Sequence, residues 1–336
     1  METDCYRSLV ALRLALYDTF SPDVVSPWER LLEQDPEAGV FAHPAWLRAW
    51  WEELGSGDLI LGLVWDGDAP VGVFATYSGE HGHLNLLGSQ DVTDEQVPVA
   101  VPGREAEAMQ FFLDWAFTDG GFDRVRFHSV LDGVRWLSVI DDVASSGGFT
   151  LSKEQVDVAP SIELPPTFEE YMQHLDGHDR HEMRRKRRRL GDLGSWTVRR
   201  AHEVGWESDL AAFFEFHRQA PGEKAGFFTA ERERFFRRLA ADLFLFGLAR
   251  LDVLDLDGEP VACTFSYDYR DTLALYNSSF RPDLAKFAPG MVLVGSLIEQ
   301  SIAERKRMFD FLRGDEAYKK RFGPVARPVW ELVLGK

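Results

Sequence analysis

Two β-rich runs flank an Asp-Gly turn in the stretch Leu251-Asp-Val-Leu-Asp-Leu256, Asp257-Gly258-Glu259, Pro260-Val-Ala-Cys-Thr-Phe-Ser-Tyr267. An Asp-Gly pair in this setting strongly predicts a β-hairpin, because both turn residues tolerate positive φ. The same pattern occurs earlier, where Leu59–Trp65 and Pro70–Tyr77 flank Asp66-Gly67. Both hairpins resume with Pro-Val after the turn, so the chain contains a repeated hairpin.

The segments around the two hairpins follow the same order. An aromatic helix precedes each hairpin (Pro44–Leu54 and Ala230–Leu243), and a Pro-Gly pair opens a later helix in each (Pro102-Gly103 and Pro289-Gly290). Because the order of the elements and the Asp-Gly and Pro-Val details agree, we interpret the chain as two copies of one unit. The alternative interpretation is a coincidence between two ordinary α/β stretches. The remaining elements are expected at 84–87, 123–130, 134–145 and 161–164, and at 272–278, 308–312, 315–321 and 329–334.

The repeat predicts the fold class and the domain organisation. We expect an α/β fold of the α+β type, with two lobes that each hold a mixed, mainly antiparallel sheet flanked by helices. The predicted boundary lies at Pro165-Pro166. Residues 1–24 are then an N-terminal extension, 25–164 the first lobe and 165–336 the second lobe.

The composition bounds the class of protein. The chain has 336 residues, 45% of them hydrophobic and 27% charged, which is typical of a chain that buries cores. Its two cysteines, Cys5 and Cys263, exclude a disulfide scaffold and a cysteine-based zinc site, and no His, Asp or Glu cluster has metal-ligand spacing. No apolar run is long enough to span a bilayer, and the acidic N-terminus is unlike a signal peptide. We therefore expect no metal, no membrane span and a cytoplasmic location.

The net charge of −18 is unevenly distributed. Residues 1–160 carry 9 Lys and Arg against 27 Asp and Glu, whereas residues 161–336 carry 28 of each. This balance argues against DNA binding and against indiscriminate nucleic-acid binding. It leaves room for a local basic site in the second half.

Such a site is suggested by Arg180–Arg189, which holds seven Lys and Arg residues against one Glu. Thr167 and Glu170 form a capping box upstream, so the basic run is predicted to be the back half of one helix over 167–190. One interpretation is a solvated helix face that packs on the acidic first lobe. The alternatives are a site for a phosphate-bearing substrate or tRNA and a nuclear-localisation segment.

The segment 280–293 is predicted to be a loop that runs into a helix. Met291, Val294 and Leu297 begin an apolar stripe at helical spacing, and Gly290 lies at its start. A helix N-terminus behind a glycine offers free N–H groups to an anion such as a pyrophosphate. A plain helix start after a turn is the alternative interpretation.

The segment Met308-Phe-Asp-Phe-Leu-Arg-Gly-Asp-Glu-Ala-Tyr-Lys-Lys-Arg-Phe-Gly-Pro324 is predicted to be a buried strand followed by a helix that Asp315 caps. Tyr318 would lie on that helix beside cations, where a phenol can protonate a leaving thiolate. Asp310 alternates with two phenylalanines and therefore faces the other side of the strand. It is either a structural partner of Arg313 or a site residue.

These segments resemble the acyl-CoA-dependent N-acetyltransferase (GNAT) fold. The stretch Phe309–Lys319 and the tandem arrangement are similar to the CelD-like/BioF2-like acetyltransferases, which are relatives of the FemAB aminoacyl transferases. Three further segments add to the resemblance: Phe41–Trp46, Phe216-His217-Arg218, and Lys224 with Phe227-Phe228. The resemblance covers about residues 25–335. Gly and Phe stand in reversed order after Tyr318, and only Gly290 of the usual glycine loop is present.

The resemblance implies a site and an activity. It implies acetyl-CoA or another acyl-CoA as donor, and a second lobe that carries the donor site. The first lobe would be degenerate, because an acidic loop with Asp91, Asp94 and Glu95 would repel pyrophosphate. The implied residues are Tyr318 as general acid with Lys319 and Asp310 beside it; Tyr276, Asn277, Ser278, Lys286, Phe287, Ala288, Pro289, Gly290, Met291 and Val292 for the donor; and His217, Lys224, Arg313 and Asp315 for the acceptor.

The predicted activity is transfer of an acyl group, expected to be acetyl, from acyl-CoA to an amine of a small molecule or a peptide. The resemblance leaves two alternatives open. One is a FemAB-like transferase that uses aminoacyl-tRNA, and the other is a non-catalytic module with the same fold. The acceptor and the oligomeric state are left open by the sequence.

Overall fold

A computed structural model describes residues 12–79, 82–201 and 205–336, except for the side chains of 223 and 224. The chain divides into two compact units. The first comprises the described residues of Met1–Trp51, Gly55–Val156 and Trp330–Lys336, and the second comprises Glu52–Leu54 and Asp157–Val329. No helix in the described ranges has the length and apolar character needed to cross a membrane.

The first unit is built on a mixed sheet with strand order β1-β2-β3-β4-β6, followed by part of β13, and β5 pairs with β3. Buried apolar residues such as Phe74, Phe112 and Trp136 fill its core between sheet and helices. Its elements are β1 Leu12–Tyr17, α1 Pro22–Gln34, α2 Pro44–Leu54, β2 Leu59–Asp66, β3 Ala69–Ser78, β4 His83–Leu86, β5 Val99–Ala100, α3 Glu105–Phe117, β6 Arg124–Leu131, α4 Arg135–Gly147 and the start of β7 Thr150–Glu163.

The second unit is built on the strand order β7-β12-β11-β10-β9-β8. Its core lies between that sheet and a group of helices, and Phe309, Phe311 and Leu297 are buried in it. Its elements are the end of β7, α5 Phe168–His174, α6 Gly177–Gly191, β8 Trp196–Arg200, α7 Trp206–Arg218, α8 Ala230–Leu245, β9 Ala249–Leu256, β10 Glu259–Tyr269, β11 Thr272–Phe280, α9 Pro289–Ala303, β12 Met308–Asp310 and the start of β13 Val325–Gly335.

The two units share one topology. In the first, β2, β3 and β4 pair antiparallel and β4 pairs parallel with β6, with α3 between them in the chain. In the second, β9, β10 and β11 pair antiparallel and β11 pairs parallel with β12, with α9 between them. The outer strands β1 and β8 also correspond, since each pairs antiparallel with the first hairpin strand. The predicted fold class, two α/β lobes with mixed, mainly antiparallel sheets, is confirmed.

The chain ends contribute to the first unit in ways that the sequence did not indicate. Residues 12–17, expected in an N-terminal extension, form β1 and pair with β2. The last strand, expected to close the second lobe, sends Trp330–Lys336 into the first unit, where Leu332 and Leu334 are buried in the core. Apolar alternation predicts a strand but does not say which sheet the strand joins.

The predicted long helix over 167–190 is wrong, because the structure divides it into α5 and α6. The break follows from Asp176, whose side chain accepts a hydrogen bond from the Asp179 N–H and so starts a new helix. The predicted capping box at the start of α5 is confirmed, since the Thr167 hydroxyl accepts from the Glu170 N–H at 3.2 Å.

The predicted helix over 315–321 is also wrong. Only a 3-10 turn forms, at Lys319–Phe322, between Gly314 with φ +116° and Gly323 with φ +70°. Positive φ at both glycines bends the chain on either side of this turn. Asp315 therefore caps no helix, and its carboxylate lies 2.8 Å from the Lys320 ammonium.

Candidate active site

An opening in the sheet of the second unit marks the candidate site. The parallel ladder between β11 and β12 pairs Thr272 with Met308 and ends at the pair Ala274–Asp310. Beyond this rung β11 continues to Phe280 along β10. The two parallel strands therefore separate from Leu275 onward.

A β-bulge lies on β11 at the same place. Phe265 of β10 pairs with Asn277 and Ser266 pairs with Leu275, so Tyr276 is an additional residue on β11. Leu275 and Phe280 both pack against the core under α9, although five positions separate them in sequence. A regular strand would direct them to opposite faces, so the bulge changes which face the strand presents. The sequence contains no pattern that predicts this bulge.

Tyr318 reaches the opening from the turn after β12. The Tyr318 hydroxyl is hydrogen-bonded to the Ser278 side chain on β11. Burial, together with the nearby Glu316 carboxylate, raises the pKa of the phenol above its ordinary value. The phenol therefore keeps its proton at neutral pH and is able to donate it.

Asp310 occupies the last rung before the opening. Its Oδ1 accepts a hydrogen bond from the Leu312 N–H at 2.7 Å. Burial raises the pKa of this carboxyl, and Arg327 and Lys319 oppose the rise. Phe309 is buried in the core under α9, so Asp310 lies on the other face of β12. The predicted neighbour Arg313 lies beside Asp157, with 3.7 Å between Nε and Oδ2.

The Lys319 ammonium is directed into its own loop. The side chain is 3% exposed, and Nζ donates to the carbonyls of Arg313 at 2.8 Å and Gly314 at 3.1 Å. Nζ also lies 2.8 Å from a Glu316 carboxylate oxygen. These contacts hold the loop that presents Tyr318, and they favour a structural role for Lys319 over the implied place beside the acyl donor.

The loop before α9 brings the helix N-terminus close to the end of β11. Ala288 adopts a left-handed conformation with φ +54°, and Pro289 begins the helix. A Cβ on Gly290 would lie 3.2 Å from the Phe280 ring, so glycine permits this close approach. Lys286 stacks its ammonium over the Phe287 ring at 4.9 Å. On β11 itself, the Ser278 N–H donates to Asn277 Oδ1 at 2.8 Å.

A pocket of about 80 Å³ lies beside the N-terminus of α9. Two of the predicted donor-binding residues line it, and the remaining residues come from α6 and from the turn after Tyr318. The sequence did not place these other residues at the donor site, although the basic run over 180–189 was a signal that α6 has a special role. The lining residues are Met291 and Val292; His178, Asp179, Glu182, Met183 and Lys186; and Arg321 and Phe322.

The pocket carries charges of both signs. Arg321 pairs with Asp179 at 2.9 Å. Arg185, on the same helix, pairs with Glu182 at 2.7 Å and lowers the pKa of that carboxyl. Burial lowers the pKa of the Lys186 ammonium. Cations therefore face the α9 N-terminus, with two carboxylates beside them.

The predicted acceptor residue His217 lies inside an aromatic cluster. The imidazole is fully buried, 4.8 Å from the Phe213 ring and 4.7 Å from the Phe228 ring. The cluster continues to Tyr276, whose ring lies 5.2 Å from that of Phe236 on α8. The bulge residue therefore turns its ring toward α8. The side chain of Lys224 lies outside the described part of the chain, and its backbone belongs to the 3-10 turn Gly222–Gly226.

The first unit lacks these features at the corresponding place. Its β3–β4 ladder is regular through the pairs from Thr76–Leu86 to Ser78–Leu84. The N-terminus of α3 is occupied by its own side chain, because the Gly103 N–H donates to Glu105 Oε2 at 2.8 Å. A carboxylate therefore lies at this helix N-terminus, where it would repel an anionic donor. Within the described ranges, no cluster of His, Cys, Asp and Glu is arranged to hold a metal ion.

Comparison with known families agrees with this geometry. Residues 177–320 match the family described as Acetyltransferase (GNAT) domain. This segment is therefore similar to a GNAT acetyltransferase domain. It begins with α6 and ends just after Tyr318, so the GNAT match includes the opening in the sheet, the bulge and every pocket-lining residue except Arg321 and Phe322. A search of curated protein sequences gives no match.

Solved structures share the fold over almost the whole chain. FemX has a TM-score of 0.65 at 12% identity, with 91% of this chain and 95% of FemX covered. The C-terminal domain of a putative lysylphosphatidylglycerol synthetase from Agrobacterium fabrum has a TM-score of 0.59 at 12% identity, covering 93% and 91%. A tandem GNAT protein from the clavulanic acid pathway has a TM-score of 0.52 at 13% identity, covering 96% and 98%. Identities this low establish the fold alone.

Proposed function

We propose that the protein is an N-acyltransferase that moves an acyl group from an acyl-CoA thioester to an amine. The observation that carries the proposal is the Tyr318–Ser278 hydrogen bond across the opening between β11 and β12. It places a protonated phenol next to a bulged strand end and near a pocket at a helix N-terminus. The match of residues 177–320 to the GNAT acetyltransferase domain supports the same class of reaction.

The proposed reaction needs positioning and two proton transfers. Backbone N–H groups of β11 around Tyr276 polarise the thioester carbonyl. The neutral amine attacks the carbonyl carbon, and a C–N bond forms. The C–S bond then breaks, Tyr318 protonates the departing thiolate, and the Asp310 carboxylate accepts the proton that the amine loses. Direct attack on a well-oriented thioester requires little further help from the protein.

The pocket would hold the phosphate end of the donor. N–H groups of the first turn of α9 offer hydrogen bonds there, and the helix dipole favours an anion. Lys186 and Arg321 would contribute positive charge from α6 and from the turn after Tyr318. We place the reaction in the cytoplasm, with an acetyl group and a small-molecule or peptidic amine as the expected substrates.

A panel assay tests this proposal. The protein is incubated with acetyl-CoA labelled in its acetyl group and with sets of primary amines, including amino sugars, polyamines and peptide N-termini. We expect amine-dependent transfer of the label with stoichiometric release of free CoA thiol. Failure of both transfer and CoA binding would overturn the proposal.

A FemAB-like transferase that uses aminoacyl-tRNA is the second candidate. The structural likeness to FemX and the exposed arginines Arg184 and Arg188 on α6 favour it. Other cations of this helix have partners within the second unit, since Arg187 pairs with Glu299 of α9 at 2.7 Å and Arg189 lies over the Phe287 ring. Transfer from aminoacyl-tRNA in the absence of CoA would favour this candidate.

A further inference from the structure

The α5–α6 hairpin lies outside the repeated unit. In the second unit it precedes β8, the strand that corresponds to β1 of the first unit. Among the described residues, β1 is the first element of its unit and has no such hairpin before it.

Two different sides of helix α6 each line a concave surface. One side lines the donor pocket through Glu182 and Lys186 and packs on α9, where a Cβ on Gly295 would lie 3.7 Å from the Met183 sulfur. The other side borders an open groove of about 720 Å³ between α5 and α6. Its lining comprises Arg180, Arg184 and Arg187 with Phe168, Glu169, Met172, Gln173 and Met183.

The arginines of the second side are only partly neutralised. Arg184 and Arg188 are exposed and one turn apart, so their like charges repel each other. Within the described ranges neither has a hydrogen-bond or ion-pair partner, although the chain carries 55 acidic residues. Arg180 donates to the Met172 carbonyl at 3.3 Å, and Arg187 lies over the Phe168 ring. We call the surface of Arg180, Arg184, Arg187 and Arg188 the arginine face.

The size and surroundings of the arginine face select the class of partner. Eight residues separate Arg180 from Arg188, which is about 12 Å along a helix. That length matches one short acidic helix of a protein. The affinity of a nucleic acid depends on how many phosphates are neutralised, whereas Arg185 and Arg187 of this helix already pair with Glu182 and Glu299.

We propose that the acyl group reaches this site on the phosphopantetheine arm of a small acidic carrier protein, which docks on the arginine face in preference to free CoA. The proposal rests on the proposed function and names the donor class of the same site. The arm would enter the pocket on one side of α6 while the carrier contacts the arginines on the other. The basic helix would then orient donor and carrier together.

The charges in the pocket agree with such a donor. Asp179 and Glu182 lie beside Lys186 and Arg321, so the pocket has little net positive charge. A phosphopantetheine arm brings a single phosphodiester, whereas CoA brings a diphosphate and a further phosphate on its ribose. The start of α9 also has one glycine, Gly290, whereas a close approach of several N–H groups to a larger anion would favour more glycines there.

The reaction stays balanced with this donor. The amine nitrogen forms a bond to the acyl carbon, and the bond from that carbon to the sulfur of the arm breaks. Tyr318 protonates the thiolate of the arm, and Asp310 takes the proton released by the amine. The carrier leaves with a free thiol.

A binding experiment tests the proposal without knowledge of the acceptor. A purified, fluorescently labelled bacterial acyl carrier protein, with and without its phosphopantetheine arm, is titrated with the full-length protein by anisotropy. The variant Arg184→Glu/Arg188→Glu reverses the arginine face at little cost in helix propensity. Arg30→Glu, on the exposed side of α1 in the first unit, is the matched control.

We expect the carrier with its arm to bind more tightly than both the armless carrier and free CoA. The double variant should weaken carrier binding at least tenfold, and Arg30→Glu should not. No binding of the carrier, or equal binding by the double variant, overturns the proposal. The proposed function then still stands if acetyl-CoA stabilises the protein. Binding of a labelled tRNA that the double variant abolishes, with no carrier binding, assigns the face to RNA instead.

Discussion

The hydroxyl of Tyr318 is hydrogen-bonded to that of Ser278, and this bond joins the turn after β12 to the bulged end of β11. It crosses the opening that begins after the pair Ala274–Asp310. A residue late in the chain thus brings a proton donor to the point where two parallel strands separate. The proposed chemistry depends on this placement.

Replacement of Tyr318 by Phe removes the proton donor and keeps the ring. Because a positioned general acid contributes roughly 10²–10⁴-fold to a rate, we expect kcat to fall within that range and the donor KM to change little. Ser278→Ala, which removes only the partner, should cause a smaller loss. Steady-state kinetics with the amine found in the panel assay measure both variants. A Tyr318→Phe variant as active as the parent protein would remove Tyr318 from the mechanism.

Replacement of Asp310 by Asn separates activity from stability. Burial raises the pKa of this carboxyl, so ionisation costs folding free energy as the pH rises through that pKa. The variant should therefore be at least as stable as the parent protein at pH 8. Its rate should fall, and the decline in kcat/KM toward low pH that reports the base should disappear. An unchanged pH profile would show that Asp310 is not the base.

Replacement of Lys319 by Met tests whether this residue is structural. The change leaves the carbonyls of Arg313 and Gly314 without the hydrogen bonds from Nζ. Buried polar groups that lose their partner cost about 1–3 kcal/mol each in stability. We expect the melting temperature to fall by several degrees. Lys320→Met, at a neighbouring exposed lysine, should stay within about 0.5 kcal/mol of the parent protein. If Lys319→Met keeps its melting temperature and loses only kcat, the residue acts at the donor, as the family resemblance implies.

His43 predicts a pH dependence of stability in the first unit. Its Nδ1 accepts the Ala45 N–H at the start of α2, and burial lowers the pKa of the imidazole from 6.5 to about 4. The unfolded chain therefore binds the proton more tightly, and stability falls as the pH drops below 6.5 toward 4. At pH 5 this loss is on the order of 2 kcal/mol.

The variant His43→Asn keeps a capping side chain but does not titrate in this range. Its unfolding free energy, measured in urea at pH 7 and pH 5, should therefore decline less than that of the parent protein. Equal declines in the two proteins would show that the imidazole is not the titrating group.

Local sequence patterns predicted the elements whose boundaries are set by turns and caps. The Asp-Gly hairpins, the helices after Pro102-Gly103 and Pro289-Gly290, and the capping box at Thr167 all form where expected. Each depends on backbone preferences of a few adjacent residues. The duplicated order of these elements then identified the fold class.

Features that depend on tertiary contacts were not predictable. The bulge at Tyr276 depends on the pairing of β11 with β10, and the chain around it has no glycine or proline to mark it. The break between α5 and α6 depends on Asp176, one aspartate among many in this chain. The pocket depends on α6 packing beside α9 and Arg321. For the same reason, the contacts of Lys319 within its own loop could not be predicted, and the family resemblance implied a place beside the donor instead.

The most direct test of the central claim, a donor site at the α9 N-terminus, is thermal unfolding with and without acetyl-CoA. At about 100 times its Kd a ligand stabilises the folded protein by about 2.7 kcal/mol, which raises the melting temperature by a few degrees. Gly290→Glu places a carboxylate at the helix N-terminus and should abolish the increase. Gly290→Ala, which adds the same Cβ contact with Phe280 without charge, should retain it. No increase with any acyl-CoA, or an equal increase in Gly290→Glu, would contradict the account.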